Sequence, residues 1–366
     1  MIGMTSKRAP YRVIQWATGA MGKSCLRAVI DRPDMELAGL YVYSETKAGK
    51  DAGEIAHRDT TGVVATNNID DILCTDADLV IHAARIGQTH TEHDDDIIAL
   101  LKSRKNVLSI NGNTFSPSWP RERQERLQAA CLEGGVSFAG AGLNPGFAAE
   151  NLLVTATSVC SHVESVSISE TVLTNQIASP EYVFDLLGFG KEVGSIDLTA
   201  DDWGPAQTLN DMFEDVVASV AHSLGWTLDD VERRHRMLPS GRDLEIRAGK
   251  IAKGTANHID WRWSGMKDGA EKVSLNIAWA MNDEHVQGTD HDLWQIAIKG
   301  VPDVRVAFGV QRPEVYPGRT SAEQLAVAGS VVNAISTLVN APAGLLTSPI
   351  TTPFAAYGGS FVAAQE

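Results

Sequence analysis

A short β-rich run, residues 11–16, leads without a break into Ala17-Thr18-Gly19-Ala20-Met21-Gly22 and on into a helix-patterned stretch, residues 20–31. The small residues at 17, 19 and 22 reproduce the G-x-G-x-x-G spacing, with Ala17 in the first place. Gly19 lets the backbone approach a pyrophosphate, and Gly22 lets the helix pack on the strand. The helix N-terminus then turns free N–H groups toward the phosphates. Such a loop alone also suits a tight strand-to-helix turn with no ligand. Placed at the first turn of an alternating chain, it predicts dinucleotide binding by Ala17, Thr18, Gly19, Ala20, Met21 and Gly22.

The alternation continues through the first half. Strand-like runs cover residues 36–43, 79–83, 106–110 and 136–140. Helix-like runs cover 20–31, with Leu26, Val29 and Ile30 on one face, then 91–104 and 121–133. Asp94, Asp95 and Asp96 stand near the start of the second helix, where the dipole favours acids. This order predicts an α/β fold with a doubly wound parallel Rossmann sheet.

The texture changes after Asn144-Pro145-Gly146. One more helix is expected over 147–159 and a long alternating strand over 163–173, carrying Val163, Ser165, Val166, Ile168, Glu170 and Val172. Helices are expected over 180–187 and 208–224. Repeated strands with turns follow from 244 to 308. Ser321 begins a last helix, 321–340, as N-cap with Glu323 close behind, and 342–359 reads as a loop. The predicted organisation is a dinucleotide-binding domain over 1–145 and an α+β domain with an open, mainly antiparallel sheet over 146–320. A C-terminal helix and tail, 321–366, should pack back on the first domain. Two domains suit 366 residues.

Charge excludes whole classes of partner. A net charge of −15 repels phosphate backbones and anionic lipid, so neither nucleic acid nor a membrane surface is expected as a partner. Polar residues interrupt the most apolar stretch, 325–346, which reads as a packed helix rather than a membrane span. Cys25, Cys74, Cys131 and Cys160 form no C-x-x-C pair. With a short polar start and no apolar leader run, a cytoplasmic setting is the expectation.

Cofactor choice depends on the end of the second strand, where an NAD site places an acid for the ribose 2′-hydroxyl. Here the segment is Tyr41-Val42-Tyr43-Ser44-Glu45-Thr46-Lys47. Ser44, Thr46 and Lys47 suit a 2′-phosphate, which favours NADP, while Glu45 keeps NAD open. The nicotinamide should lie against loops at the C-terminal strand ends. Ala83 and Ala84, Asn111 with Asn113, and Asn144 with Pro145 are the candidates there.

The Gly19-Ala20-Met21-Gly22 loop and the later segment from Tyr43 to Glu54 resemble the dihydrodipicolinate reductase-like Rossmann domain. Gly140-Ala141-Gly142-Leu143-Asn144-Pro145-Gly146-Phe147 is similar to the G-T-G-x-N-P-G-F segment of 2,4-diaminopentanoate dehydrogenases and native amine dehydrogenases, and Gly188-Phe189-Gly190-Lys191 fits the same group. The resemblance implies reductive amination of a small ketone or aldehyde with ammonia, or the reverse deamination. Dihydrodipicolinate reductase itself is not the expected activity, since its His-His…Lys and Pro-Ser-Gly-Thr signatures are missing. In the family a catalytic glutamate follows the strand that corresponds to residues 106–110, whereas Gly112 and Asn113 stand there in this chain. Asn113 and Asn111 are therefore the catalytic candidates: an amide can hold a substrate nitrogen but accepts no proton at neutral pH. The proton then passes through water or another group. A reductase of preformed imines or ketones, and a silent NADP-binding sensor, remain as alternatives.

Weaker candidates are Glu150, Glu170, His291 and Asp292. Trp261, Trp263, Trp279 and Trp294 read as an apolar substrate wall or as plain sheet packing. His90 and His93 form H-x-x-H beside three aspartates, better read as a solvated face than as a metal site. No Ser-His-Asp elbow, P-loop or HExxH motif occurs. An open sheet with a broad face to cover makes a homodimer the expected assembly.

Overall fold

In the computed structural model, residues 9–87, 89–197, 199–200, 204–286, 293–314, 320–347 and 350–357 are described. His291 and Asp292 lie outside them. Two compact units result: one drawn from Met1–Arg85, His93–Leu143 and Arg312–Glu366, the other from Ile86–Glu92 and Asn144–Gln311.

The first unit is built on a six-stranded sheet, ordered β15-β5-β4-β3-β1-β2. Its strands are β1 (Tyr11–Trp16), β2 (Met35–Tyr41), β3 (Leu79–His82), β4 (Asn106–Ser109), β5 (Ser137–Gly140) and β15 (Gly344–Leu345). Every pairing is parallel. β3, β4 and β5 are buried along their whole length, as strands covered on both faces must be. The order reverses beside β1, whose neighbours are β2 and β3. That reversal opens the crevice in which such sheets bind ligands.

On one face α1 (Ala20–Ile30) packs against α8 (Ala322–Val339), and α8 also covers β3, β4 and β5. By composition α8 is apolar enough to cross a bilayer, yet it buries Val331, Ala334, Ile335 and Leu338 in this unit. Ser321 caps α8 as expected. The reciprocal bond comes from Gln324 rather than the neighbouring Glu323. On the other face α4 (Asp94–Lys102) lies beside α5 (Arg121–Gly134). Asp94, the first of the three acids, pairs with Arg123 of α5 at 2.9 Å, both side chains buried. Asp95 reaches Arg126 at 2.6 Å in the open. Two short helices, α2 (Ala52–Ala56) and α3 (Ile69–Cys74), fill the long connection from β2 to β3.

Residues 342–359, expected as loop only, contain β15. Gly344 N donates to Val136 O at 3.0 Å and Leu346 N to Phe138 O at 3.0 Å. Edge pairing with β5 satisfies these backbone groups although the segment has no strand-like pattern of its own.

The second unit carries a seven-stranded mixed sheet, ordered β14-β13-β6-β12-β11-β7, with β8 also on β11. These strands are β6 (His162–Leu173), β7 (Asp230–Arg233), β8 (Arg236–Pro239), β11 (Ala256–Lys267), β12 (Ala270–Ala280), β13 (Leu293–Val301) and β14 (Val304–Gly309), with β9 (Leu244–Ile246) and β10 (Gly249–Ile251) forming a separate hairpin. Only β6 and β12 run parallel among the paired strands of this sheet. Residues 147–153 wind in wide helical turns into α6 (Val154–Ala156), beginning only after the non-helical Asn144, Pro145 and Gly146.

The alternation along β6 sets its buried face. Val166, Ile168 and Glu170 stand in register with Val273, Leu275 and Ile277 of β12. Against this face lies α7 (Gly204–Ser223), with Phe213 4.8 Å from the Trp263 ring. Asn210 of α7 accepts from Trp263 Nε1 at 2.9 Å and lies 2.9 Å from His235 Nε2. Burial pushes His235 down to about 4, so it packs as a neutral ring between Trp261 and Trp263. Trp261, Trp263 and Trp294 are buried and Trp279 half-buried.

The Asp94–Arg123 pair ties α4 to α5 inside the core. Arg123→Leu leaves a buried carboxylate uncompensated, and a loss of roughly 3–5 kcal/mol is expected. A lower urea midpoint with an unchanged m-value is the measurement; an unchanged midpoint refutes it.

Candidate functional site

The glycine loop takes its shape from two contacts. A Cβ on Gly22 would collide with the Ala17 carbonyl oxygen and come within 3.2 Å of Ala83 Cβ. Ala17 adopts φ 69°, a left-handed conformation that the fingerprint's usual glycine enters at no steric cost. Above Gly19 the space is open, with nothing within 4 Å of a Cβ placed there. Gly19 caps α1 without a side-chain bond, and no acid stands in the first turn. The N-terminal N–H groups of α1 therefore face an open space in which the helix dipole favours an anion. Ala20 is exposed and Met21 half-buried at its rim.

Lys47 reaches this loop from the turn after β2. Its Nζ donates to Thr18 Oγ1 at 2.9 Å and to Thr18 O at 3.1 Å. Burial, then the charge of Lys23, lowers the Lys47 pKa from its ordinary value. Ser44 Oγ and Thr46 Oγ1 lie 2.8 Å apart, and Lys47 N bonds Ser44 O at 3.0 Å. The turn is thus folded toward the glycine loop. Tyr41 stacks on Trp16 at 3.9 Å, and Tyr43 accepts from Trp16 Nε1 at 2.9 Å with its ring about half exposed.

At the ends of β3 and β4 the loops are bonded to each other. Asn111 Nδ2 donates to Ala84 O at 2.8 Å. Asn113, at φ 60° and 4% exposed, is turned inward. Its Oδ1 accepts from Arg123 at 2.8 Å, and its Nδ2 lies 3.1 Å from Ser109 Oγ and 3.2 Å from Asn111 O. Both ends of the Asn113 amide are engaged within the unit. Arg123 also lies over the Trp119 ring at 4.3 Å. Asn113 therefore sits as the clamp of this loop, while Asn111 stands nearer the Ala83-Ala84 edge. His82, last residue of β3, is buried and lies 5.7 Å from Trp16. Its ring nitrogens have no hydrogen-bond partner among the described residues. Burial, and secondarily His93, pushes its pKa down to about 3.

In the second unit the turn Asn144-Pro145-Gly146 is flanked by two buried acids. Asn144 Nδ2 donates to Glu170 Oε2 at 2.5 Å, and Gly146 N to Glu150 Oε2 at 2.6 Å. Glu150 and Glu170 are 4% and 6% exposed. Among the described residues no three His, Cys, Asp or Glu side chains gather to hold a metal ion.

Sequence reasoning found the loops and named Lys47, Glu150 and Glu170, which are bonded to them, but it missed Arg123. Arg123 was readable: it falls on the buried face of α5 with Leu127, Ala130 and Cys131, a charge at a core position. Glu170 carries the same signal, an acid on the inward period of β6.

Residues 13–98 match the family model described as dihydrodipicolinate reductase, N-terminus, and residues 147–360 match the 2,4-diaminopentanoate dehydrogenase C-terminal domain. An amine dehydrogenase of Streptomyces virginiae is 23% identical over 353 residues, covering 91% of this chain and 93% of the relative. A 2,4-diaminopentanoate dehydrogenase of Acetoanaerobium sticklandii is 25% identical over 256 residues, 69% of this chain and 68% of its own. The structure of an amine dehydrogenase from Mycobacterium smegmatis shares the fold, with a TM-score of 0.76 at 17% identity over 95% of this chain and 97% of that one. The two family matches and the relatives that span most of the chain make it an NAD(P)-dependent oxidoreductase. By the domain that fills more than half its length, the chain belongs to the 2,4-diaminopentanoate dehydrogenase family.

Two outcomes follow from the loop geometry. Gly19→Val fills the open space above α1, so NADPH affinity should fall at least tenfold at an unchanged melting temperature; equal affinity by fluorescence titration refutes the anion site. His82 contributes stability as a neutral ring. That contribution is full above its ordinary value of 6.5 and is lost as pH falls toward about 3. His82→Leu should therefore flatten the acid side of the stability–pH profile, measured by urea unfolding between pH 7 and pH 4.

Proposed function

We propose that this oxidoreductase is an amine dehydrogenase-type enzyme, joining ammonia to a small ketone or aldehyde and running the reverse deamination, with NADP as its preferred dinucleotide. The observation that carries the reaction class is the family match over residues 147–360. The dinucleotide, when bound, supplies or takes the hydride. The chain's own part is positional: the glycine loop holds the diphosphate, and the Asn111–Ala84 edge orients the reactive end. Support for NADP comes from Lys47. An ammonium seated on Thr18 beside Lys23, with its pKa lowered, is relieved by an anion, and a 2′-phosphate brings one to this end of β2. Tyr41 ends β2 where an NAD site places its acid.

One observation favours the reductase that uses no free ammonia: the loop after β4 offers amides in place of a carboxylate. Turnover of NADPH with a panel of small ketones, with and without ammonia, separates the readings. Ammonia-dependent turnover supports the amine dehydrogenase, ammonia-independent turnover the reductase. Tight binding with no turnover defeats both and leaves a sensor.

For the cofactor, Lys47→Ala should weaken NADPH about ten- to a hundredfold more than NADH, the loss of a charge-assisted contact of roughly 1.5–3 kcal/mol. Equal losses for both dinucleotides remove the 2′-phosphate site.

A further inference from the structure

Tyr43 is placed against the habit of a surface tyrosine, which packs its ring and leaves its hydroxyl to water. Here the hydroxyl is turned inward. It accepts from the indole Nε1 of Trp16 at 2.9 Å, and Trp16 is fully buried. The residue as a whole is nonetheless 53% exposed. Trp16 is itself firmly packed: Tyr41 stacks on it at 3.9 Å, and the His82 ring lies 5.7 Å from it. Tyr43 stands nearly perpendicular to both partners, 5.2 Å from Tyr41 at 87° and 6.4 Å from Trp16 at 78°. An aromatic ring is thus anchored through its hydroxyl and presented to solvent.

The ring stands where the base of a dinucleotide arrives. Tyr43 follows the end of β2 closely, and the turn after it carries Ser44, Thr46 and Lys47. Lys47 Nζ donates to Thr18 Oγ1 of the glycine loop at 2.9 Å, so turn and loop belong to one site within the first unit. In sheets of this kind the adenosine ribose comes to the end of the second strand. Adenine is bonded to that same ribose, so it reaches the residues that flank the turn. A purine offers two broad π faces, and stacking on aromatic side chains is a main source of a protein's grip on a base. A ring already held in place loses little freedom when the base settles on it.

We propose that Tyr43, held by Trp16, is the platform on which the adenine of the dinucleotide stacks. The assignment rests on dinucleotide binding at the glycine loop. It does not depend on the choice between NADP and NAD, nor on the amine as substrate. The adenosine half is then divided between neighbours in the chain. Lys47 answers the charge on the ribose, which distinguishes the two dinucleotides. Tyr43 answers the base, which they share. Stacking reads a π face rather than a pattern of donors and acceptors, so a dinucleotide with hypoxanthine in place of adenine is also accepted.

The test is equilibrium binding of NADPH, NADH and reduced nicotinamide hypoxanthine dinucleotide to the full-length protein, followed by fluorescence titration. Wild type is compared with Tyr43→Leu and Tyr43→Phe. Tyr43→Leu should weaken NADPH and NADH by the same factor, roughly five- to a hundredfold. Tyr43→Phe keeps the ring and should stay within about threefold of wild type for both. Its melting temperature should fall, because the Trp16 N–H loses its acceptor. Wild type should bind the hypoxanthine dinucleotide within about threefold of NADH. Wild-type affinity in Tyr43→Leu overturns the platform. An equal loss in Tyr43→Phe and Tyr43→Leu overturns it too, since the hydroxyl would then serve only to shape the loop. A loss of about tenfold or more with hypoxanthine overturns recognition by stacking. If Tyr43→Leu fails to fold, nuclear Overhauser contacts decide. Contacts from tyrosine ring protons to adenine H2 and H8 in wild type, lost in Tyr43→Phe with tyrosine-selective labelling, establish the stack, and their absence overturns it. A wild type that binds none of the three dinucleotides defeats the dinucleotide reading itself, whereas binding that survives Tyr43→Leu defeats only the platform.

Discussion

The closeness of α1 to β1 is the constraint on which the first unit depends. Gly22 lies so near the Ala17 carbonyl and Ala83 that no side chain fits between them. That approach aims the helix N-terminus over the end of the sheet and leaves the space above Gly19 open. Ala17 accepts a left-handed backbone to make the turn, and Thr18 is left where Lys47 can hold it. The same approach brings Ala83 to the loop, and Ala84 then anchors Asn111. The whole binding edge thus inherits its geometry from one missing Cβ.

Charge is used differently inside the molecule and outside it. The chain carries a net charge of −15, which sets partners and solubility. Inside, charges sit at positions that periodicity reserves for apolar groups. Asp94 and Arg123 join two helices and continue to Asn113, which fixes the loop after β4. Glu170 stands among Ile277 and Trp294, bonded to Asn144. Buried ionic groups add little net stability compared with apolar packing. In both places the charge fixes the position of a loop that the function reading needs.

The parallel sheet, the glycine loop and the later mixed sheet were legible because each has a local signature: a small-residue spacing, alternating strand and helix patterns, and a two-residue period. α2 and α3 were not, being short and held by their caps Asp51 and Asn68 rather than by an apolar period. β15 was hidden because its pairing comes from β5 and not from its own residues. At the site, local sequence placed Lys47 near the phosphates, since loop and turn are close in the chain. It named Asn113 as a substrate contact without showing its bond to Arg123, which belongs to a separate helix. Periodicity showed the acid on β6, while only the tertiary fold brings Asn144 to it.

The nucleotide-binding unit is assembled from both ends of the polypeptide. Its first strand is β1, its edge is closed by β15, and α8 covers strands laid down far earlier. Arg27 and Thr320 are joined across that interval at 2.8 Å, as are Arg32 and Asn333 at 2.7 Å. On the ribosome, the strands up to β5 therefore emerge with one edge and one face bare, and they wait for the entire second unit to be made. Interleaving of this kind puts long-range contacts at the end of folding and makes the early half a client for protection while it waits. It also means that cutting the chain at the junction near Leu143 separates no finished domain.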